Sequence, residues 1–496
     1  MHETYLTFDL GTTALKTALV SAEGRALAVY SREYTPQSPR PDWLEMVPEE
    51  YWRAAVEGTR SVFRQTSANP AALSGIGFSS QGQTFVPIDL EAHPLHNAIV
   101  WVDNRAQGIA DSWESSWLSR ERFHRSSGYP WIPAGLTVFK IAWLARNEPK
   151  AHKAWKFLLL PDYLIHRLTG EMATDYITAR MSGLFDLQNG EWDPGLLDAA
   201  EITREQLPAV LPPGSIAGKL LPEAAAELGL PVGIPVSVGA NDQIVGAVGA
   251  GNVRPGIVTE TTGTALALVA TTPELLDDRR IIVGKHAVPK YSYAMTLATT
   301  SAIVLKWFRD LCEPGQEYDE FLKGVETISV GSDGLSVLPH FMGTSMPSFD
   351  PQVRGAFVGL TLGHTRAHLS HAIMESCACL LKECLVPITD HGLEVQSIRS
   401  LGGSAHSDLW LQMKADLLGI IVERPTCADA ASLGAAMLVA AGTGRFSSIA
   451  EASEAWYRPA RHFEPDRARH EAYSEVYARY LDLMQRIYGD IPTPNR

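Results

Sequence analysis

Basic residues are in short supply: 42 lysines and arginines face 56 aspartates and glutamates, a formal net charge of −14. This balance argues against a nucleic acid or an anionic membrane surface as a partner, because either needs a basic face. An anionic small molecule is not, since a local pocket with a bound cation can reverse the sign. Cysteine is scarce and odd in number, five in 496 residues, which fits reduced thiols better than a disulfide frame. No apolar run reaches the roughly 20 residues of a membrane-spanning helix. Met1-His2-Glu3-Thr4 offers no basic segment or cleavage-like site, so no secretory leader is expected and the chain reads as cytoplasmic. A P-loop is also missing. Near Gly218-Lys219 the first glycine position of that motif holds Pro213, and Leu220 follows the lysine.

What is there is an ordinary globular composition, 45% hydrophobic and 20% charged, in a chain too long for a single core. Its organising stretch runs from Tyr5 to Val20. Apolar Leu6, Phe8 and Leu10 lead into Gly11-Thr12-Thr13, and Leu15, Ala18, Leu19 and Val20 lead out. This predicts strand, tight turn and returning strand. Gly11 tolerates positive φ, Thr12 and Thr13 offer hydroxyls and bare N–H groups, and Lys16 adds charge, so the turn can wrap phosphate oxygens. Asp9 stands at its mouth, placed to hold Mg²⁺ through water. An acid before such a turn is also a common structural feature. Half a chain later, Gly256 to Ala270 repeats the pattern around Thr262-Gly263-Thr264. The pair points to a duplicated fold gripping a nucleotide.

Between the hairpins, Ser74 to Asp89 reads strand, polar crossing, strand, with Gln81, Gly82 and Gln83 at the crossing. The crossing is either a plain turn or a wall of donors and acceptors facing a hydroxylated ligand. Ala98 to Ala106 predicts a buried strand ending in Trp101 and Asp103. Polar groups beside an aromatic plane suit a sugar, and an Asp103–Arg105 pair closing the strand is the bland alternative. The helix within Gly135 to Asn147 reads as packing. Asp242, following the strand Pro235 to Gly239 and opening a small-residue helix, is a candidate general base or the cap of that helix. Gly251 to Gly256 marks the expected boundary between domains at 1–250 and 251–496. In the second half, His364, His368 and His371 share a helical face that resembles a metal set, with helix packing the simpler reading. Cys377, Cys379 and Cys384 read as buried thiols. Gly402 and Gly403 let backbone lie flat against a planar ligand, and the small-residue helix Ala431 to Ala441 is expected to pack near them.

Taken in order, these motifs resemble the FGGY family of carbohydrate kinases, in the actin–hexokinase–Hsp70 superfamily. The resemblance rests on Asp9-Leu-Gly-Thr-Thr13, Gln81 with Asp89, Trp101-Val-Asp103, Gly135-x-Thr137-x-x-Lys140-Ile-x-Trp143, Asp162-Tyr163, Asp242, Thr262-Gly263-Thr264, Gly355 to Leu360, Gly402-Gly403-Ser404 and Leu433-Gly-Ala-Ala436. It implies an α/β fold of two ribonuclease H-like (actin-like ATPase) domains with an interdomain active-site cleft, closing about a hinge near 250–256. By position it makes Asp242 the catalytic base and Asp9 part of the first phosphate and Mg²⁺ motif. Thr262, Gly263 and Thr264 become the second phosphate motif, and Gly402, Gly403 and Ser404 the adenosine site. Gln81, Gly82 and Gln83, with Trp101, Asp103 and Asp242, would face the acceptor. The implied ligands are ATP, Mg²⁺ and a small sugar or polyol, and the resemblance allows a homodimer. A ketopentose such as xylulose is the first expectation, with ribulose, glycerol or erythritol as alternatives. A non-catalytic sugar sensor or an ATPase switch is a further alternative, disfavoured by the presence of Asp242 and Asp9. Two departures stand out. Thr261 replaces a family glycine in the second phosphate turn, and Gly82-Gln83 stands where xylulokinases show Met-His and glycerol kinases Arg-Glu.

Overall fold

Each hairpin seeds a sheet, and the two sheets repeat one strand pattern. In a computed structural model describing residues 3–427 and 429–489, Thr4–Leu10 pairs antiparallel with Ala14–Ser21 and parallel with Leu73–Ser80. Pro235–Ser237 adds on parallel, and Ile216–Lys219 closes that edge antiparallel. In the second sheet Ile257–Thr262 pairs antiparallel with Leu266–Thr272 and parallel with Ser397–Leu401. Ile421–Pro425 then adds on parallel and Pro459–Phe463 antiparallel. Met1 and His2, which open the segment read for a leader, lie outside the described residues.

The chain divides into two units. One comprises Met1–Val253, Gly284–Ser292 and Asp429–Tyr457, and the other Arg254–Val283, Tyr293–Ala428 and Arg458–Arg496. The first strand is buried on both faces apart from Asp9, as its near-continuous apolar run requires. Leu6, Phe8, Leu10, Leu15, Leu19, Ile76, Phe78, Val236 and Val238 share one core with the helix Pro48–Gln65, each large side chain contributing roughly 1.5–3 kcal/mol of burial.

The segment Asp429–Tyr457 returns to the first unit. Its small-residue helix, Ala430–Gly442, packs on the helix Asp242–Gly249. The small residues are what allow the contact. A Cβ on Gly249 would stand 1.9 Å from the Ala430 carbonyl oxygen, and one on Gly434 would stand 2.0 Å from that of Val245. The helix that follows Asp242 is therefore locked by backbone-to-backbone approach.

Two further expectations resolve within the second unit. The helix predicted around the histidines spans Arg366–Thr389, so His364 precedes it. His371 Nδ1 lies 2.8 Å from Ser332 Oγ, His368 Nε2 lies 3.2 Å from Asp333 Oδ2, and Glu375 accepts from Gly331 N and Ser332 Oγ at 2.7 Å each. These groups clamp Gly331-Ser332-Asp333-Gly334, four successive residues at φ of 86°, 49°, 51° and 93°. Two non-glycine residues in the left-handed region need such support. Cys377, Cys379 and Cys384 are buried, and burial pushes the Cys377 thiol up to about 11. Among the described residues no helix is long and apolar enough to cross a membrane.

Candidate active site

Three parallel strands of the first unit end side by side, and the predicted residues gather at those carboxyl ends, where ligands bind in open α/β sheets. Asp9 sits beside Ser79 in register, and Ser79 Oγ donates to Asp9 Oδ1 at 2.7 Å. Gln81 N donates to the Leu10 carbonyl at 2.9 Å, and Ser80 N to that of Ala240 at 3.2 Å. The third strand thus delivers Asn241 and Asp242 next to the first two.

Asp242 is the first residue of its helix, and the cap is Asn241, whose side chain accepts from Gln243 N at 3.1 Å. The capping alternative for Asp242 therefore falls to its neighbour. Burial first, and then the charge of Asp9, raise the Asp242 carboxyl to about 7, against opposing hydrogen bonds from Gln243 and Asn241. Asp9 itself is raised to about 6 by burial and by Asp429, with Ser79 and Lys16 pulling the other way. Two carboxyls poised near neutrality in one place are the electrostatic signature of a proton-handling site.

Lys16, opposite Asp9 in the hairpin, bonds Asp429 Oδ2 at 3.0 Å and lies 3.9 Å from Asp9 Oδ2. It bridges two carboxylates at the turn's base. Asp429, which caps the helix Ala430–Gly442 through Ser432 N, is a site residue that the sequence reading missed. Gly11 does not use the left-handed freedom expected of it. It is crowded, a Cβ there falling 2.9 Å from the Ala14 oxygen, and its carbonyl accepts from Tyr34 Oη at 2.5 Å and Gln81 Nε2 at 3.0 Å. Thr12 is half-buried and Thr13 exposed, leaving the turn's hydroxyls accessible.

The polar crossing is built as a braced wall. Gln81 Oε1 accepts from Thr84 Oγ1 at 3.1 Å, and that hydroxyl in turn accepts from Trp101 N at 3.0 Å. Trp101 presents its ring with 41% exposure while its Nε1 donates to Thr12 Oγ1 at 2.8 Å. Gln83, at φ 60°, donates from Nε2 to Tyr129 Oη at 2.9 Å. Gly82 is buried, and a Cβ there would meet Met181 Cε and Sδ at 2.8 Å. Asp103 has no exposure. Its oxygens take Arg105 N at 3.0 Å, Arg105 Nε at 2.9 Å, Arg105 Nη2 at 2.8 Å and Leu44 N at 2.5 Å. It fixes the wall from behind, and the observed strand is only Ala98–Ile99.

The helix read as packing supplies much of the bracing. In Thr137–Asn147, Thr137 Oγ1 donates to the Gln83 carbonyl at 2.9 Å. Lys140 Nζ, fully buried, donates to the Val100 and Trp101 carbonyls at 2.7 and 3.3 Å. Burial pulls the Lys140 ammonium down to about 7, against the attraction of Asp103. A lysine in the middle of an apolar helical face was the signal available in the sequence.

In the second unit the hairpin forms with Thr261 in place, paired with Ala267, and Gly263 N donates to the Ala265 carbonyl at 2.9 Å. Gly402, at φ 79°, lies against it, since a Cβ there would fall 3.2 Å from Thr261 Cγ2 and from the Thr262 oxygen. Thr264, Gly402 and Gly403 are exposed, whereas Thr262 and Ser404 are buried. The turn at Thr262–Thr264 and the glycine loop therefore form one surface.

Comparison with known proteins agrees with this layout. Residues 4–249 match the FGGY family of carbohydrate kinases, N-terminal domain, and residues 258–443 its C-terminal domain. A xylulose kinase of Bacillus subtilis is 29% identical over 487 residues, 97% of this chain and 95% of its own. An L-xylulose/3-keto-L-gulonate kinase of Escherichia coli is 29% identical over 496 residues, 99% of this chain and 98% of its own. The solved xylulose kinase of Rhodospirillum rubrum superposes with a TM-score of 0.90 at 28% identity, covering 98% of this chain and 99% of that one. With both domains matched in order and the strand-end carboxylates in place, the chain belongs to the FGGY family of carbohydrate kinases, two-domain α/β enzymes of the actin-like ATPase type.

Proposed function

We propose that this kinase transfers the γ-phosphate of ATP, carried with Mg²⁺, to a hydroxyl of a ketopentose, xylulose before the others, with Asp242 as general base. The observation that carries the reading is the Asp242 carboxyl, raised to about 7 beside Asp9 at the ends of the parallel strands. A base with that affinity for protons accepts the acceptor hydroxyl's proton as attack proceeds. Positioning supplies the rest, since a loose phosphoryl transition state needs little covalent help. The exposed Trp101 ring suits a C–H face of the sugar, and the Gln81-Gly82-Gln83 wall suits its hydroxyls. Asp103 acts by holding that wall through Arg105 and Leu44.

Among the described residues no three His, Cys, Asp or Glu side chains gather into a metal cage. Mg²⁺ needs none, because one hard carboxylate together with water and phosphate oxygens satisfies it, and Asp9 fits that part. When bound, the ion would neutralise charge on the phosphates. Thr12, Thr13 and Lys16 in the first unit, and Thr262 to Thr264 with Gly402 to Ser404 in the second, are assigned to the nucleotide.

One observation favours a second acceptor. Arg180, buried, stacks its guanidinium 4.6 Å from the centre of the Tyr129 ring that holds Gln83. A cation behind the wall suits a sugar acid such as a ketoaldonate. ADP release from ATP and Mg²⁺, measured against ketopentoses, ketohexoses, aldonates, ketoaldonates and polyols, separates these readings. The proposal expects xylulose to stimulate most. Stimulation by a polyol alone would overturn it.

A further inference from the structure

Lys414 has no exposed surface, yet it carries a charge into the middle of the second unit. It projects from the helix Asp408–Leu418. Its Nζ donates to Glu260 Oε1 at 2.6 Å, Ser404 Oγ at 3.0 Å and Thr262 Oγ1 at 3.1 Å, which uses the three protons of an ammonium, with Ser400 Oγ at 3.5 Å beyond them. Glu260 is equally buried. Its Oε2 accepts from Thr262 Oγ1 at 2.5 Å and its Oε1 from Ser400 Oγ.

The partners are not scattered. Thr262 is the last residue of the strand entering the second phosphate turn. Ser404 belongs to the glycine loop, and Ser400 to the strand that feeds it. One ammonium thus ties together the two pieces of backbone that present Gly263, Thr264, Gly402 and Gly403 to solvent. A buried ion pair is weak evidence of a stabilising role, because desolvation offsets most of the attraction and an apolar pair often packs as well. A satisfied buried network does fix geometry.

We infer that Lys414 is a positioning residue for the nucleotide: it holds the second phosphate turn and the adenosine loop in register and so sets ATP affinity without touching ATP. This rests on the assignment of those two segments to ATP. The chemistry of sugar recognition, built in the other unit, is not expected to change with it.

The test uses full-length protein in three forms: Lys414→Met, Glu260→Gln/Lys414→Met and Gly403→Val. The pair variant removes both charges together and guards against misfolding from an orphaned carboxylate. Melting temperature, KM for ATP, KM for the sugar and ADP binding are measured on each. The pair variant is expected to melt within a few degrees of the parent, to raise KM for ATP and Kd for ADP about tenfold or more, and to keep KM for the sugar within about twofold. Hydrogen exchange at 261–264 and 402–404 should quicken in either Lys414 variant that stays folded. A folded pair variant with parental ATP and ADP affinity and unchanged exchange overturns the inference. Gly403→Val separates this from failure of the site assignment, because the exposed Gly403 leaves open space around an added Cβ, with nothing of the protein within 4 Å of it. If Gly403→Val also leaves ATP affinity untouched, the adenosine-loop assignment fails. If Gly403→Val weakens ATP while the pair variant does not, only the role of Lys414 fails.

Discussion

The indole Nε1 of Trp101 donates to Thr12 Oγ1 at 2.8 Å, joining the segment beside the Gln81–Gln83 crossing to the first hairpin turn within one unit. On the proposed function, the bond couples the side that takes the sugar to the side that takes the phosphate, so its loss should misplace one relative to the other. Trp101→Phe keeps an aromatic face and removes the donor. Its kcat/KM for the sugar is expected to fall about tenfold to a hundredfold, about 1.4 kcal/mol per factor of ten. Steady-state kinetics check this, and parental kcat/KM would contradict it.

The raised carboxyl of Asp242 also bears on stability. Its folded pKa of about 7 lies above the ordinary aspartate value of 3.8, so the folded state binds more protons between those pH values. Stability contributed by this group is therefore lost as pH rises from about 4 to about 7. Asp242→Asn removes the cost. Without Mg²⁺ or nucleotide, the variant should melt several degrees above the parent at pH 8, with the gap narrowing towards pH 5. A gap that widens on acidification would contradict the assignment.

Met181 occupies the space that a side chain at Gly82 would need. Gly82→Met alone should overpack the wall, costing about 1–3 kcal/mol and most of the activity. Adding Met181→Ala should recover part of both, with a changed preference within the acceptor panel. Melting curves and the panel itself read the outcome. Additive losses in the double variant would show that the two side chains do not share one space.

Much of this was legible in the sequence for physical reasons. Alternating apolar residues around Gly11-Thr12-Thr13 and Thr262-Gly263-Thr264 can hardly form anything but hairpins, and strand-to-helix transitions marked Asp242 and Gly402. The illegible parts depend on distant partners. Lys140 looked like one polar residue on a packing helix, because nothing local says that two carbonyls of the Val100–Trp101 segment await it. Asp429 lies far along the chain from Lys16, and only the return of Asp429–Tyr457 to the first unit brings them together. The small-residue helix Ala430–Gly442 announced a close approach without saying to what. Asp103 shows the converse, a polar residue at a strand end whose oxygens are already taken by Arg105 and Leu44.

The most direct test of the account is the turnover of Asp242→Asn against the parent, with ATP, Mg²⁺ and the best acceptor of the panel. As general base, Asp242 should be worth about 10²–10⁴ in kcat, with ADP affinity kept within a few-fold. Near-parental turnover in a folded variant that still binds ADP would contradict it.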